Sequence, residues 1–317
     1  MNHIDKKRQL EAIIYDKIVP LIDRDYMLMG LPYYTNIGDT LIWNGEIEFL
    51  KRIKHKCVGT CAWNKYPAAQ IEKDAVILIT GGGYFGDLWR DAWQSVLSFI
   101  SLNRDKKIII LPQTIYYQSE ELRENDAALL AECPNLTICV RDRISLGVAQ
   151  QYFKNPAIHV PDMAFCMDEK ELQKYSRLEP KHENLLFSRT DKERPEITGG
   201  VPADADIHDW ISMEECRPWQ ADFERAKVWA YRLGRISKSL REKALEKVYY
   251  HIFRRRLTND GLEQLSSYRR IYTTRLHAMI LGTMLGREVR MIDNKFGKLS
   301  SYYDTWLTDC DNVRPFN

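Results

Sequence analysis

Short apolar runs alternate with segments of helical period along the first half of the chain. The runs that predict β-strands are 27–32, 56–59, 75–80, 107–112, 136–140 and 158–162. The segments that predict helices between them are 5–22, 41–50, 88–97, 119–132 and 143–153. Apolar strands that alternate with helices are typical of parallel sheets covered on both faces. The pattern therefore predicts an α/β protein with a doubly wound parallel sheet.

The same pattern restarts after residue 170. A charged segment at 169–183 contains Pro180 and is interpreted as a linker. The elements predicted beyond it are strands at 184–188, 271–276 and 288–293, a long loop at 194–220 and a helical segment at 222–257. We therefore predict two domains, residues 1–170 and residues 171–317.

Ligands of doubly wound sheets bind at the carboxyl ends of the strands. The first-half residues that the predicted strands bring to this rim are Asn36, Gly82, Gln113, Arg141 and Asp162. The turn Gly81-Gly82-Gly83 lets the backbone approach a ligand or a neighbouring element closely.

The turn around Gly38 follows the first strand but lacks the G-x-G-x-x-G pattern, so no dinucleotide is indicated. Gly38 by itself is interpreted as part of a plain turn. Asp39 or Thr40 is predicted to cap the following helix.

The segment 273–279 places Arg275 and His277 between a strand and a buried helix. Backbone N–H groups and the helix dipole favour anions at such a position. The next strand delivers Asn294, Lys295 and Lys298 to the same edge of the sheet, which predicts an anion site. The alternative is that Arg275 forms a structural salt bridge and His277 is a core residue.

Composition excludes several classes of function. The chain of 317 residues has 46 basic and 44 acidic residues, so its bulk charge does not indicate nucleic-acid binding. The seven cysteines are scattered without a C-x-x-C pair, and no metal site is predicted. Neither a signal peptide nor an apolar run of about 20 residues is visible, so a cytoplasmic location is expected.

Residues 225–256 form a basic helical region. They contain eleven Lys or Arg against two Glu, beside an apolar stripe that runs from Trp229 to Ile252. One interpretation is a solvated basic face. The other is a surface that faces a lipid bilayer or a pyrophosphate, which would make the protein peripheral at the inner face of the membrane.

Seven motifs in order resemble the polysaccharide pyruvyl transferase family over about residues 27–307. They are Asn36-Ile37-Gly38-Asp39, Gly81-Gly82-Gly83, Val140-Arg141-Asp142-Arg143-Ile144-Ser145, Pro161-Asp162, Ser188-Arg189-Thr190-Asp191-Lys192-Glu193, Thr274-Arg275-Leu276-His277-Ala278 and Asp293-Asn294-Lys295-Phe296-Gly297-Lys298. The family often has Gly where Thr35 stands and Glu where Asp142 stands, and neither difference removes a cation.

The resemblance implies two Rossmann-like domains that face each other across a cleft, as in GT-B glycosyltransferases. It also implies transfer of a pyruvyl group from phosphoenolpyruvate to a sugar as a cyclic ketal, without a cofactor or a metal. The expected acceptor is a hexose such as galactose, in a polysaccharide or a lipid-linked precursor.

Phosphoenolpyruvate carries a carboxylate and a phosphate, and Arg pairs such oxyanions through two parallel hydrogen bonds. Arg189 and Arg275 are the leading candidates for this contact. His277 is the best-placed general acid for protonating the methylene carbon, and binding phosphate is its alternative role. Asp39 and Asp162 are candidates for orienting or deprotonating acceptor hydroxyls. The other predicted substrate-binding residues are Asn36, Gly38, Gly82, Gly83, Arg141, Asn294, Lys295 and Lys298.

Two other functions stay open at this point. One is a GT-B-type glycosyltransferase with a nucleotide-sugar donor, on the same architecture. The other is a catalytically inactive, sugar-binding relative, although Arg189, Arg275 and His277 are all present.

Overall fold

The structure is a computed structural model that describes residues 1–67, 70–71, 74–191, 193, 195, 200–210, 217–293 and 296–316. The first half forms a parallel sheet in the order β2-β1-β3-β5-β6-β7, with β4 paired to the end of β5. Its strands are β1 Tyr26–Leu31, β2 Cys57–Ala62, β3 Val76–Ile79, β4 Gly82–Gly86, β5 Ile108–Tyr116, β6 Leu136–Val140 and β7 Ala157–His159. Its helices are α1 His3–Ile18, α2 Ile37–Leu50, α3 Arg90–Leu102, α4 Glu120–Ala131, α5 Arg143–Tyr152 and α6 Glu169–Ser176.

The second half forms another parallel sheet, in the order β12-β11-β10-β8-β9. Its strands are β8 His182–Phe187, β9 Asp206–His208, β10 Tyr268–Thr273, β11 Glu288–Met291 and β12 Val313–Pro315. Its helices are α7 Pro218–Leu233, α8 Lys238–Val248, α9 Arg254–Ser266, α10 Leu276–Met284 and α11 Lys298–Trp306, with a π-helical turn at Tyr249–Phe253. Two parallel Rossmann-like sheets thus face each other across a cleft, which confirms the predicted fold class.

Burial explains why the central strand β3 is apolar throughout. Every residue of β3 is buried, because helices cover both faces of the sheet. One face packs on α3, α4 and α5. The other face contributes to a core that continues through α2 and α10 into the second sheet. The two halves therefore share apolar packing around the cleft.

Both ends of the chain cross to the opposite half. Helix α1 packs against α10, and α11 packs against α5. In α11, the Tyr302 hydroxyl accepts a hydrogen bond from the backbone N–H of Asp162 at 3.1 Å. The Trp306 indole donates to the backbone carbonyl of Arg141 at 2.8 Å. These bonds fasten the carboxyl ends of the first sheet to the second half.

Several predicted elements need correction. The predicted linker at 169–183 contains α6, which Asp168 caps by accepting from the N–H of Lys170. The predicted helical segment at 222–257 is broken after Gly234, and Ser237 begins a new helix by accepting from the N–H of Leu240. Strands β4, β9 and β12 were not predicted, because each is short and two of them lie in Gly-rich or polar sequence.

Candidate active site

The carboxyl ends of the two sheets open into a common cavity of about 540 Å³. Its polar lining comes from both halves: Asn36, Asp39, Arg141, Arg189, Thr190, Asp191, Glu193, Asp209, Arg275, His277 and Lys298. Sequence reasoning placed Asn36, Asp39, Arg141, Arg189, Arg275, His277 and Lys298 in one site, and the fold brings these seven residues together. Asn294 and Lys295 lie outside the described residues.

His277 reaches from the second half onto the first. It lies in the first turn of α10, and its imidazole packs against Gly38 in the first turn of α2. A Cβ atom at Gly38 would be 2.6 Å from the His277 Nδ1 atom. Gly38 is therefore required for a close approach between the two halves, and its interpretation as a plain turn was wrong.

The predicted helix cap also needs correction. Helix α2 begins at Ile37, and its N-cap is Asn36, whose side-chain oxygen accepts from the N–H of Asp39 at 3.4 Å. Asp39 thus lies inside the first turn. Its carboxylate accepts from the Tyr34 hydroxyl and the Asn36 amide, each at 2.8 Å. These two donors hold the Asp39 carboxylate at the cavity wall.

Arg141 and Asp162 lie beneath the His277 ring. Arg141 Nη1 donates to Asp162 Oδ2 at 2.6 Å, and His277 Nε2 lies 3.3 Å from the same oxygen. Burial acts to raise the pKa of Asp162, but His277, Arg141 and the N–H of Ala164 outweigh it and hold the pKa well below its usual range. Asp162 is therefore a carboxylate that orients the imidazole.

The expected contact between Asp162 and acceptor hydroxyls needs correction, because the Asp162 side chain is fully buried. Gly82 is buried too and is not part of the cavity lining, unlike its neighbour Gly83. Gln113 is turned inward, where its amide donates to the Thr80 carbonyl at 3.0 Å. The sequence predicted where these three residues lie along the strands, but it did not show how deeply each one is buried.

Arg189 and Arg275 are both paired with carboxylates. Arg189 donates to Asp191 through Nε and Nη2 and to Glu193 through Nη1, each at 2.9 Å. Arg275 donates to Asp209 through Nε and Nη2, the latter at 2.6 Å. The guanidinium nitrogens that we expected to bind an oxyanion are thus bonded to Asp191, Glu193 and Asp209. The sequence analysis did not consider these pairings.

A different pair of cations lies beside Gly83. A Cβ atom there would be 3.1 Å from Arg141 Nη2 and 3.9 Å from Lys298 Nζ. Arg141 uses Nε for Thr114 and Nη1 for Asp162, so within the described residues Nη2 is the nitrogen that faces the glycine. Lys298 also donates to Glu193 at 2.9 Å. The missing side chain at Gly83 therefore opens a small space in front of two cationic groups.

Each cation of the cavity is paired with a carboxylate. Among the described residues, the cations are Arg141, Arg189, Arg275 and Lys298, and their carboxylate partners are Asp162, Asp191, Glu193 and Asp209. Burial lowers the pKa of Lys298, while Glu193 acts to raise it. An anion would thus be recognised by directed N–H donors and not by a large net positive charge.

Aromatic side chains form the remaining wall, which sequence reasoning did not identify. They are Tyr34, Trp63, Tyr66, Tyr84, Trp89 and Trp210. The Trp63 and Trp89 side chains are 36% and 40% exposed, which is high for indole rings. Tyr34 and Trp63 are arranged edge to face, with ring centroids 5.5 Å apart. The sequence carried a signal for two of them, because Tyr34 and Trp63 follow the ends of β1 and β2.

Glu46 supports the glycine turn from below. This fully buried residue of α2 accepts from the Thr80 hydroxyl and from the N–H of Gly81, each at 2.8 Å. Burial raises the pKa of Glu46 to about 8, against these two hydrogen bonds. Its position within an apolar helical segment gave no signal of this role in the sequence.

Metal ligation is not indicated where the side chains are described: no cluster of three His, Cys, Asp or Glu residues has suitable geometry there. The cavity wall offers hydrogen-bond donors, the His277 imidazole and the partly exposed carboxylates of Asp39, Asp191 and Asp209, of which the last two are paired with arginines.

Known proteins are similar in sequence over most of the chain. The sequence model of the family described as Polysaccharide pyruvyl transferase matches residues 36–295. EpsO of Bacillus subtilis (strain 168), provisionally named a pyruvyl transferase, is 27% identical over 98% of this chain and 93% of its own length. Pyruvyl transferase 1 of Schizosaccharomyces pombe is 26% identical over 89% of this chain and 70% of its own length.

A solved structure shares the fold. The crystal structure of a functionally uncharacterised protein from Klebsiella pneumoniae covers 99% of both chains with a TM-score of 0.62 at 17% sequence identity.

Proposed function

This chain belongs to the polysaccharide pyruvyl transferase family, and we propose that it uses phosphoenolpyruvate to form a pyruvate ketal across two hydroxyls of a sugar. The acceptor in this proposal is a hexose such as galactose, in a polysaccharide or its lipid-linked precursor. No cofactor enters the proposed reaction.

The observation that carries the proposal is the space in front of Gly83. Arg141 Nη2 and Lys298 Nζ face it, and Arg141 Nη1 lies 3.5 Å from His277 Nε2. Phosphoenolpyruvate has two anionic groups and a methylene carbon that must be protonated. Two cationic donors beside an imidazole supply contacts for both anionic groups and a proton donor for the carbon.

In the proposed reaction, His277 protonates the methylene carbon, and the adjacent carbon becomes cationic. The first sugar hydroxyl adds to this carbon and passes its proton to Asp39. The bond between the carbon and the phosphate oxygen then breaks, and the phosphate leaves with the proton held by Asp39. The second hydroxyl adds to the same carbon, closes the ketal and returns a proton to His277. A role for His277 as a phosphate ligand is the alternative, and kinetics of a variant separates the two.

The aromatic wall supports the acceptor side of the proposal. Trp63, Trp89 and Asp39 all line the cavity, and both indole rings are partly exposed. Carbon-bound hydrogens on one face of a hexose pack well on such rings, while a carboxylate accepts hydrogen bonds from its hydroxyls. Arg189 and Arg275 then act in this proposal by positioning Asp191 and Asp209 at the cavity rim.

A phosphate-release assay tests the function. The purified protein is incubated with phosphoenolpyruvate and a panel of free and lipid-linked sugars, and product mass is measured in parallel. We expect phosphate release that requires an acceptor and yields an equal amount of ketal. Consumption of a nucleotide sugar in place of phosphoenolpyruvate would instead support the glycosyltransferase alternative. Failure to turn over either donor with any acceptor would support an inactive sugar-binding relative.

We also propose that the protein is cytoplasmic and that residues 225–256 contact the inner face of a membrane peripherally. Among the described helices, none is both long and apolar enough to cross a bilayer. Arg254 has to be removed from the proposed contact surface, because it is buried and donates to Asn44 of α2 while stacking on Tyr250. Arg255 and Arg256 are exposed.

A further inference from the structure

The turn between α7 and α8 exposes a group of large apolar side chains. We define the hairpin tip as residues 225–241. Its exposed apolar residues, with exposed fractions, are Val228 (50%), Trp229 (59%), Tyr231 (57%), Ile236 (77%) and Leu240 (46%). Single exposed apolar residues are ordinary, but a contiguous group indicates an interaction surface.

The same segment is strongly basic. Its charged residues are Arg225, Lys227, Arg232, Arg235, Lys238 and Arg241, and it contains no Asp or Glu. On α7, Arg225, Val228, Trp229 and Arg232 follow one another at helical spacing, so charge and apolar surface share one exposed face. A partner for this face must accept apolar side chains and carry negative charge.

The rest of the apolar stripe is packed. Leu245 and Val248 of α8 are buried at the base of the hairpin. Tyr249, which follows α8, stacks on Tyr33 with centroids 4.2 Å apart and planes 3° apart. The base of the hairpin is thus packed against the rest of the protein, whereas the apolar residues of its tip are exposed.

The base of the hairpin adjoins the aromatic wall of the cavity. Tyr33 precedes Tyr34 of that wall, and the Thr60 hydroxyl in β2 donates to Glu246 of α8. The hairpin is therefore joined directly to elements that carry the aromatic wall.

We propose that the hairpin tip docks on an anionic lipid bilayer, with Trp229 and Ile236 inserted at the interface and the basic residues on the head groups. Basic charge around exposed aromatic and aliphatic side chains is the composition of an interfacial helix. Acids that flank the tip pair with three of its cations, Arg225, Lys227 and Arg241. A second copy of the chain fits less well, because two tips would bring Arg232, Arg235 and Lys238 of one chain against the same residues of the other. The docking does not depend on the ketal chemistry, but its use for lipid-linked acceptors rests on the proposed function.

Vesicle sedimentation tests the docking. The probes are vesicles of phosphatidylcholine alone and of phosphatidylcholine with phosphatidylglycerol, at low and high salt. The wild type should pellet with the anionic vesicles, and high salt should weaken this binding. Trp229→Ser with Ile236→Ser should weaken it about tenfold or more, because two apolar side chains no longer leave water. Arg232→Glu with Arg235→Glu should weaken binding to the anionic vesicles only.

Leu102→Ser is the matched control, since Leu102 is an exposed apolar residue (44%) of α3, outside the tip. It should pellet like the wild type. Equal pelleting of the wild type and the apolar double variant would overturn the proposal. So would a wild-type dimer in gel filtration that the double variant loses, which would assign the tip to a second copy. Phosphate release with a short soluble acceptor should be unchanged in the apolar double variant. This assay reports the ketal chemistry and sedimentation reports the docking, so the failure of one can be told from the failure of the other.

Discussion

Gly83→Ala is the sharpest test of the donor site, because the added methyl group fills the space in front of the two cations. The new Cβ would lie 3.1 Å from Arg141 Nη2 and 3.9 Å from Lys298 Nζ. An oxyanion bonded to these nitrogens would need the same space. Gly83 is not among the glycines with positive φ, so alanine introduces no backbone strain there.

The magnitude follows from the contacts that the methyl group blocks. A hydrogen bond to a charged group is worth about 1.5–3 kcal/mol, so losing one should weaken phosphoenolpyruvate binding roughly 10- to 150-fold. Isothermal titration calorimetry measures this directly. Gly147→Ala in α5 is the matched control, because a Cβ there meets nothing within 4 Å, and it should bind as the wild type does. Wild-type affinity in the Gly83→Ala protein would refute the assignment of the donor site.

Further predictions address the imidazole, the interface and the buried acid. His277→Gln should lower kcat by roughly 10²–10⁴ with phosphoenolpyruvate still bound, whereas a raised KM with kcat retained would assign it to phosphate binding. Gly38→Ala should lower kcat more than it changes KM, since its Cβ would meet the His277 ring at 2.6 Å. In thermal melts, Arg254→Glu should lower Tm, because it buries an acid in place of a hydrogen-bonded arginine. The exposed control Arg255→Glu should not lower Tm, and equal Tm values for the two variants would contradict the buried contact. The raised pKa of Glu46 means that its ionisation is unfavourable in the folded protein. The stability of the wild type relative to Glu46→Gln should therefore fall as the pH rises from 4.5 to about 8. A difference in Tm that does not change with pH would contradict this.

The strands and the order of the site residues could be predicted because they depend on local sequence. The apolar run 136–140 coincides with β6, and the run 75–80 contains β3. In a parallel sheet, the residue after each such run lies at the ligand-binding edge. That rule placed Arg141 at the edge of the first sheet and Arg189 at the edge of the second. The expectation that both edges face one cleft came from the resemblance to the family.

The pairing of charges and the depth of side chains could not be predicted, because they depend on tertiary contacts. Asp162 and Arg141 follow neighbouring strands, but the sequence does not show that α11 covers them. Asp209 lies 66 positions before Arg275 and becomes its partner only through the order of the second sheet. By contrast, the bond between Arg189 and Glu193 joins residues four positions apart and was accessible to sequence reasoning.

The most direct test of pyruvyl transfer is turnover of phosphoenolpyruvate in deuterated water, followed by phosphorus and proton NMR with an active acceptor. The proposed protonation of the methylene carbon predicts that inorganic phosphate and ketal form in equal amounts and that each ketal methyl group carries one solvent deuteron. Phosphoenolpyruvate that persists with every acceptor while a nucleotide sugar is consumed would contradict the proposed function.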